Sequence, residues 1–223
     1  MKIKAIITGA TGMVGKGVLY ECFDSNDVDE VLVINRQSLG IKHPKLKEII
    51  HHDFFNLDPI KEQLKGYNAC YFCLGVSSVG MSETNFHKVT FDLTLHMAKI
   101  LAEQSPELTF CYVSGTGTDS TEKGRTMWAR VKGKTENAIM ALPFKASYMF
   151  RPGYIQPQRG IKSKTALYNA IYIVFKPLYP ILKRLSPSYF TSTTKVGQAM
   201  INVTLNGYEK RHLENKDINT AAE

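Results

Sequence analysis

The sequence predicts an α/β fold, a doubly wound parallel sheet with a small helical cap toward its C-terminus, and three observations carry that reading. Short β-branched runs alternate with longer helical patterns from the first residues onward, as in a parallel sheet covered by helices. Several runs are apolar at consecutive positions, which fits strands covered on both faces. A glycine-rich turn links the first run directly to the first helical pattern. Of the 223 residues, 43% are hydrophobic and 22% charged, a balance that excludes disordered, collagenous and coiled-coil chains.

The first strand is expected over Lys2–Thr8 and the first helix over Gly12–Asp24. Glu30–Asn35 and Leu46–His51, rich in Val, Ile and Leu, are the second and third strands. A short helical pattern at Asp58–Lys65 precedes a fourth strand at Ala69–Leu74. The long helix Glu83–Gln104 carries Phe86, Val89, Leu93, Met97 and Ile100 as an apolar stripe at helical spacing, which is core or the face of a homodimer. Leu108–Ser114, a helix at Thr126–Leu142, and Lys145–Arg151 complete the alternation. Beyond Arg151 the rhythm changes to a Pro- and Tyr-rich loop, an apolar helix over Thr165–Arg184 and a last helix near Thr193–Asn206. This length favours one domain over 1–223, with 153–206 as a cap on it rather than a second domain.

The formal net charge of +8 is local. From Asn137 to Tyr208 there is no Asp or Glu but nine Lys and Arg, and the remainder carries 19 basic against 20 acidic residues. The partner expected for that basic third is a small anion or, through 165–184, an anionic membrane surface, with no specific nucleic acid. The cap itself reads as a lid over a small-molecule substrate, a purely structural helix or a membrane contact. The N-terminal apolar stretch is too short for a signal peptide, and Lys176, Pro177 and Pro180 interrupt the longest apolar run, so no spanning helix is expected. Four cysteines at irregular spacing do not make a secreted disulfide scaffold and point to a reducing, cytoplasmic setting. Cys70 and Cys73 fall inside a predicted strand with no second pair, which favours core packing over a metal site. No third ligand accompanies His51 and His52, and no metal is expected.

The turn reads Ile7-Thr8-Gly9-Ala10-Thr11-Gly12-Met13-Val14-Gly15. Gly9 permits the tight bend, Gly12 lets backbone N–H groups approach a pyrophosphate, and Gly15 lets the helix close on the strand, at a helix N-terminus that favours anions. The stretch Thr8–Gly15 is therefore the candidate binding turn of a Rossmann-type dinucleotide site. No Gly-Lys-Ser/Thr follows, which excludes a P-loop. The second strand ends in Asn35, where an acid would bind the adenosine ribose, and Arg36 follows. A guanidinium there pairs with a 2′-phosphate, favouring NADP over NAD, unless Arg36 merely points into solvent.

On these residues the chain resembles an atypical member of the short-chain dehydrogenase/reductase superfamily, on the side of the NAD-dependent epimerase/dehydratases and the NmrA-like regulators. Asp53-Phe54 resembles the adenine-contacting acid segment of that family, Leu74-Gly75 its cofactor loop, Ser114 its strand-end hydroxyl, and Arg151-Pro152-Gly153 the segment near the nicotinamide. The family reaction uses a Tyr and a Lys at i and i+4 on one helix face. Here that register holds Trp128 and Lys132. An indole N–H donates but does not titrate usefully, so Trp128 does not shuttle a proton. The resemblance implies Lys132, Ser114 or Thr116, and Tyr154 as catalytic candidates, with Tyr168 a further replacement acid. It implies an NADP-dependent epimerase/dehydratase-like oxidoreductase or, alternatively, an NADPH-sensing regulatory module that does no chemistry.

Overall fold

The computed structural model describes residues 2–162 and 189–223. Seven strands form one parallel sheet: β1 (Ile3–Thr8), β2 (Val28–Asn35), β3 (Leu46–Ile50), β4 (Ala69–Phe72), β5 (Thr109–Val113), β6 (Ala146–Arg151) and, last in the chain, β9 (His212–Glu214). Their order across the sheet is β3-β2-β1-β4-β5-β6-β9. The order reverses between β1 and β4, and the crevice outside the carboxyl ends of those two strands is where such sheets bind ligands.

Successive strand residues feed two cores. Ala5, Ile7, Val31, Val33, Tyr71, Cys111 and Phe150 join one face with Val18, Leu19 and Cys22 of α1 (Met13–Asp24) and Val196, Ala199 and Met200 of a late helix. Ile6, Leu32, Ile34, Cys70, Phe72, Phe110, Tyr112 and Met149 join the other. That second face is covered by Leu57, Ile60 and Leu64, by α3 (Leu93–Gln104), which α2 (Glu83–His87) leads into through a π-helical turn (Lys88–Asp92), and by Ile139 of α4 (Met127–Met140). The apolar stripe of the long helix is spent largely within the chain, since Phe86, Met97 and Ile100 are buried.

Three expectations differ from the structure. The segment Asp58–Leu64, expected as an α-helix, is 3₁₀, with Pro at its start and too short a run to propagate. Strand β9 was not foreseen, nor was the pair β7 (Tyr154–Gln156) and β8 (Phe190–Ser192), which forms a separate two-stranded sheet. The helices after β8 are α5 (Thr193–Asn206), as expected, and a short α6 (Asn215–Ala221) that carries a capping box between Glu214 and Asp217. The expected cap helix over Thr165–Arg184, with Tyr168, lies outside the described residues. Among those described, no helix is long and apolar enough to cross a membrane.

Candidate coenzyme and active site

The glycine turn sits at the end of β1, and two of its glycines are enforced by backbone proximity. Gly9 has φ +71°, and a Cβ added there would lie 2.6 Å from the carbonyl of Cys73, just past β4. At Gly15 an added Cβ would lie 2.3 Å from the Gly9 carbonyl oxygen. The turn is closed by Gly12 N–H donating to the Gly9 carbonyl (2.8 Å) and Lys16 N–H donating to that of Gly12 (2.9 Å). No side chain caps α1, and no acid stands in its first turn, so the N–H groups of Met13, Val14 and Gly15 open the helix without an internal anion. Thr8 is fully buried, and its hydroxyl oxygen has no partner among the described residues. A turn that admits no side chain at Gly9 or Gly15, an uncapped helix start and an orphaned buried hydroxyl fit a dinucleotide diphosphate.

Beside the turn lies a cavity of about 430 Å³ lined by Thr11, Arg36, Gln37 and His52. Asn35 is buried, and its amide donates to Glu48 (3.4 Å). Glu48 also accepts from the Ser38 hydroxyl (2.6 Å) and the Leu39 N–H (2.8 Å), so the nearby carboxylate is tied to the loop after β2. On the next loop Asp53 accepts from the Phe55 N–H (2.9 Å), while the Phe54 ring is spent in the core. Leu74 packs against that core and Gly75 is exposed beyond β4. His52 was not assigned from sequence; its place directly after the third strand, beside the acid at 53, is the signal that finds it.

A second cluster gathers at the ends of β5 and β6. The loop after β5 bends at Gly115 and Gly117 (φ +154° and +81°), and the Trp128 indole lies over Gly117, whose added Cβ would meet the ring at 3.6 Å. Helix α4 presses so closely on this loop that a Cβ on Gly133 would lie 1.8 Å from the Asp119 carbonyl oxygen. That approach brings Lys132 to Ser114, and its ammonium donates to the Ser114 carbonyl (2.5 Å). Burial pushes the Lys132 amine down to about 8, against an opposing pull from Glu136. The Ser114 hydroxyl, buried, donates to Glu136 (2.5 Å) and approaches the Phe150 carbonyl (3.1 Å). Thr116 donates its hydroxyl to Glu214 (3.2 Å) and its N–H to the Pro152 carbonyl (3.0 Å). Thus Ser114, Thr116, Lys132 and Pro152 come together, while Tyr154 belongs to the β7–β8 pair, where its hydroxyl donates to Gln156 (2.8 Å) and its ring meets Phe190. The sequence reading missed Glu136. It lies four residues after Lys132, on a helix face that otherwise buries Val131, Thr135 and Ile139, and an acid in that company was the available sign.

The strand order, the glycine turn and the crevice beside it define a Rossmann-type α/β protein. A sequence model of the NAD dependent epimerase/dehydratase family matches residues 5–126, more than half of the chain. The protein belongs to that family; the match spans the turn and stops before Trp128 and Lys132. The chain is 26% identical over 212 residues to Protein FMP52-1, mitochondrial, of Scheffersomyces stipitis, covering 93% of this chain and 91% of that relative. It is 28% identical over 151 residues to the rat Protein HTATIP2, covering 67% and 61%. Among solved structures, the Bordetella bronchiseptica enzyme WbmG in complex with NAD superposes with TM-score 0.67 at 10% identity, covering 99% of this chain and 77% of that one. The UDP-N-acetylglucosamine 4-epimerase from Methanobrevibacter ruminantium M1 does so with TM-score 0.65 at 15% identity, covering 95% and 76%. The mitochondrial names of the fungal relatives overturn the cytoplasmic placement expected from sequence. Four cysteines at irregular spacing do not by themselves choose a compartment.

Proposed function

We propose that the protein binds NADP(H), in preference to NAD(H), along the crevice between β1 and β4, and works as an epimerase/dehydratase-like oxidoreductase on a small, phosphorylated substrate. The observation that carries this reading is the turn in which Gly9 and Gly15 admit no side chain, beside a cavity whose lining residues, Thr11, Arg36, Gln37 and His52, include no acid. A carboxylate at such a place would favour the free ribose hydroxyl and repel a 2′-phosphate; a guanidinium and an imidazole favour the phosphate. When bound, the coenzyme supplies hydride transfer. Lys132 orients the nicotinamide ribose and Ser114 or Thr116 polarises a carbonyl, while Tyr154, the proton donor expected from sequence, stands on the β7–β8 pair outside that cluster. Arg36→Glu is expected to weaken NADPH binding about tenfold to a hundredfold, the worth of one or two charge-assisted contacts, with NADH unchanged or tighter. Equal losses for both coenzymes would defeat the NADP preference.

A specific observation favours a second reading, an NADPH-sensing module similar to the NmrA-like regulators. The Ser114 and Thr116 hydroxyl protons are both committed to carboxylates, and Trp128 offers no titrating proton. Coenzyme binding with no turnover of any carbonyl compound or nucleotide sugar would support it.

A further inference from the structure

Beneath Ser114 and Lys132 lies a charged layer that the proposed chemistry does not use. Glu136 is fully buried on α4, one turn beyond Lys132. Its carboxylate accepts the Ser114 hydroxyl (2.5 Å) and the Nε–H of Arg151 (3.0 and 3.2 Å), and it also pairs with an Arg151 terminal nitrogen. Arg151, from β6, donates to the Ser120 hydroxyl (2.5 Å) in the loop under Trp128 and lies 3.6 Å from Glu214 of β9. Glu214 in turn holds Thr116. His212, also on β9, places Nε2 3.5 Å from Glu136, and the phenol of Tyr112 on β5 lies within its electrostatic reach. Glu136 therefore holds the Ser114 hydroxyl directly and reaches Thr116 only through Arg151 and Glu214, tying the loop after β5 to the helix bearing Lys132.

A buried ion pair is a poor way to add stability, because desolvation consumes most of what the charges gain and apolar replacements are often neutral or better. A rigid, fully bonded carboxylate behind a site instead fixes the groups in front of it. We propose that Glu136 is the positioning residue of the candidate active site, holding the Ser114 hydroxyl and governing the charge on the Lys132 ammonium, while touching neither coenzyme nor substrate itself. The inference rests on the reading of Lys132 and Ser114 as site residues.

Glu136 favours the Lys132 ammonium, and it is the main partner of the Arg151 guanidinium, which Glu214 also faces at 3.6 Å. Removing the carboxylate charge withdraws that attraction and leaves Arg151 with only its 3.6 Å contact to Glu214, so the amine loses its proton more easily. The test is the pH dependence of Lys132 acylation by a small amine-reactive ester in coenzyme-free protein, read by mass spectrometry of the peptide containing it. The wild type should label with a midpoint of about 8. The midpoint of E136Q should fall by about one unit, a tenfold change in the protonation equilibrium. E136D retracts the charge by one methylene and should fall by less. E136D keeps the inference falsifiable if E136Q does not fold. A carboxylate that merely fills space would lower the unfolding midpoint of either variant and leave the titration at its wild-type position, and that result in either folded variant overturns the proposal. Because no coenzyme is added, failure here is separate from failure of NADP(H) binding.

Discussion

Trp128 and Lys132 occupy one face of α4 at a spacing of one turn, and the proposed oxidoreductase and sensor readings part at this pair. The indole rests over Gly117, next to a loop already anchored by Thr118 donating to the Gly115 carbonyl (2.7 Å). A phenol is smaller than an indole and fits the same shelf, adding a titratable hydroxyl beside an amine whose burial already lowers its proton affinity. W128Y is therefore expected to keep its coenzyme affinity within about threefold and to gain NADPH oxidation with small carbonyl substrates. General acid catalysis is worth about a hundredfold to ten-thousandfold when correctly placed. A variant that binds coenzyme as the wild type does, yet shows no oxidation above background, would mean that the site lacks more than an acid. At this scale the sequence was partly legible. Glycines forced by backbone contact, the lysine and the tryptophan announce themselves by spacing. The bonds of Ser114 and Thr116 to Glu136 and Glu214 join residues 22 and 98 positions apart, and no local pattern encodes such a pairing.

Among the elements, α1 and α5 show how the turn is kept in place. Gly17 of α1 lies against the start of α5, and a Cβ there would come 2.6 Å from Thr193 Cβ and 3.0 Å from its carbonyl oxygen. Gly197 of α5 faces Glu21 in the same way, its added Cβ 2.6 Å from Cγ. The C-terminus of α1 is held by Lys45, whose ammonium donates to the carbonyls of Cys22 (3.3 Å), Phe23 (2.8 Å) and Ser25 (2.6 Å). Alanine is the better helix former by about 1 kcal/mol, so Gly17→Ala would stabilise an isolated α1. In the folded protein the clash involves backbone, and overpacking of about 1–3 kcal/mol outweighs the propensity gain. Gly17→Ala should lower the unfolding midpoint in urea, and an unchanged or raised midpoint would show that the helices do not pack this closely. The main strands and long helices were legible within one or two residues because hydrophobic periodicity writes them directly. Strand β9 was not, since His-Leu-Glu has one apolar residue and becomes a strand only by pairing with Met149–Arg151 of β6.

For the whole molecule, the parallel order with its reversal between β1 and β4 sets the binding crevice independently of any single side chain. The glycine turn lies on one side of that crevice and the Ser114–Lys132 cluster toward the other, the arrangement a dinucleotide extended across the sheet requires. This is why fold class and coenzyme class could be read from the opening residues while the substrate could not, since the region expected to cap it carries no motif of its own. Isothermal calorimetry of the purified protein with NADPH, NADP⁺, NADH and NAD⁺ tests the central claim most directly. Saturable one-to-one binding is expected, tightest for a 2′-phosphorylated form and abolished in Gly15→Val, whose side chain would drive into the Gly9 carbonyl. Absence of heat with all four nucleotides, under conditions where circular dichroism reports the folded protein, would contradict it.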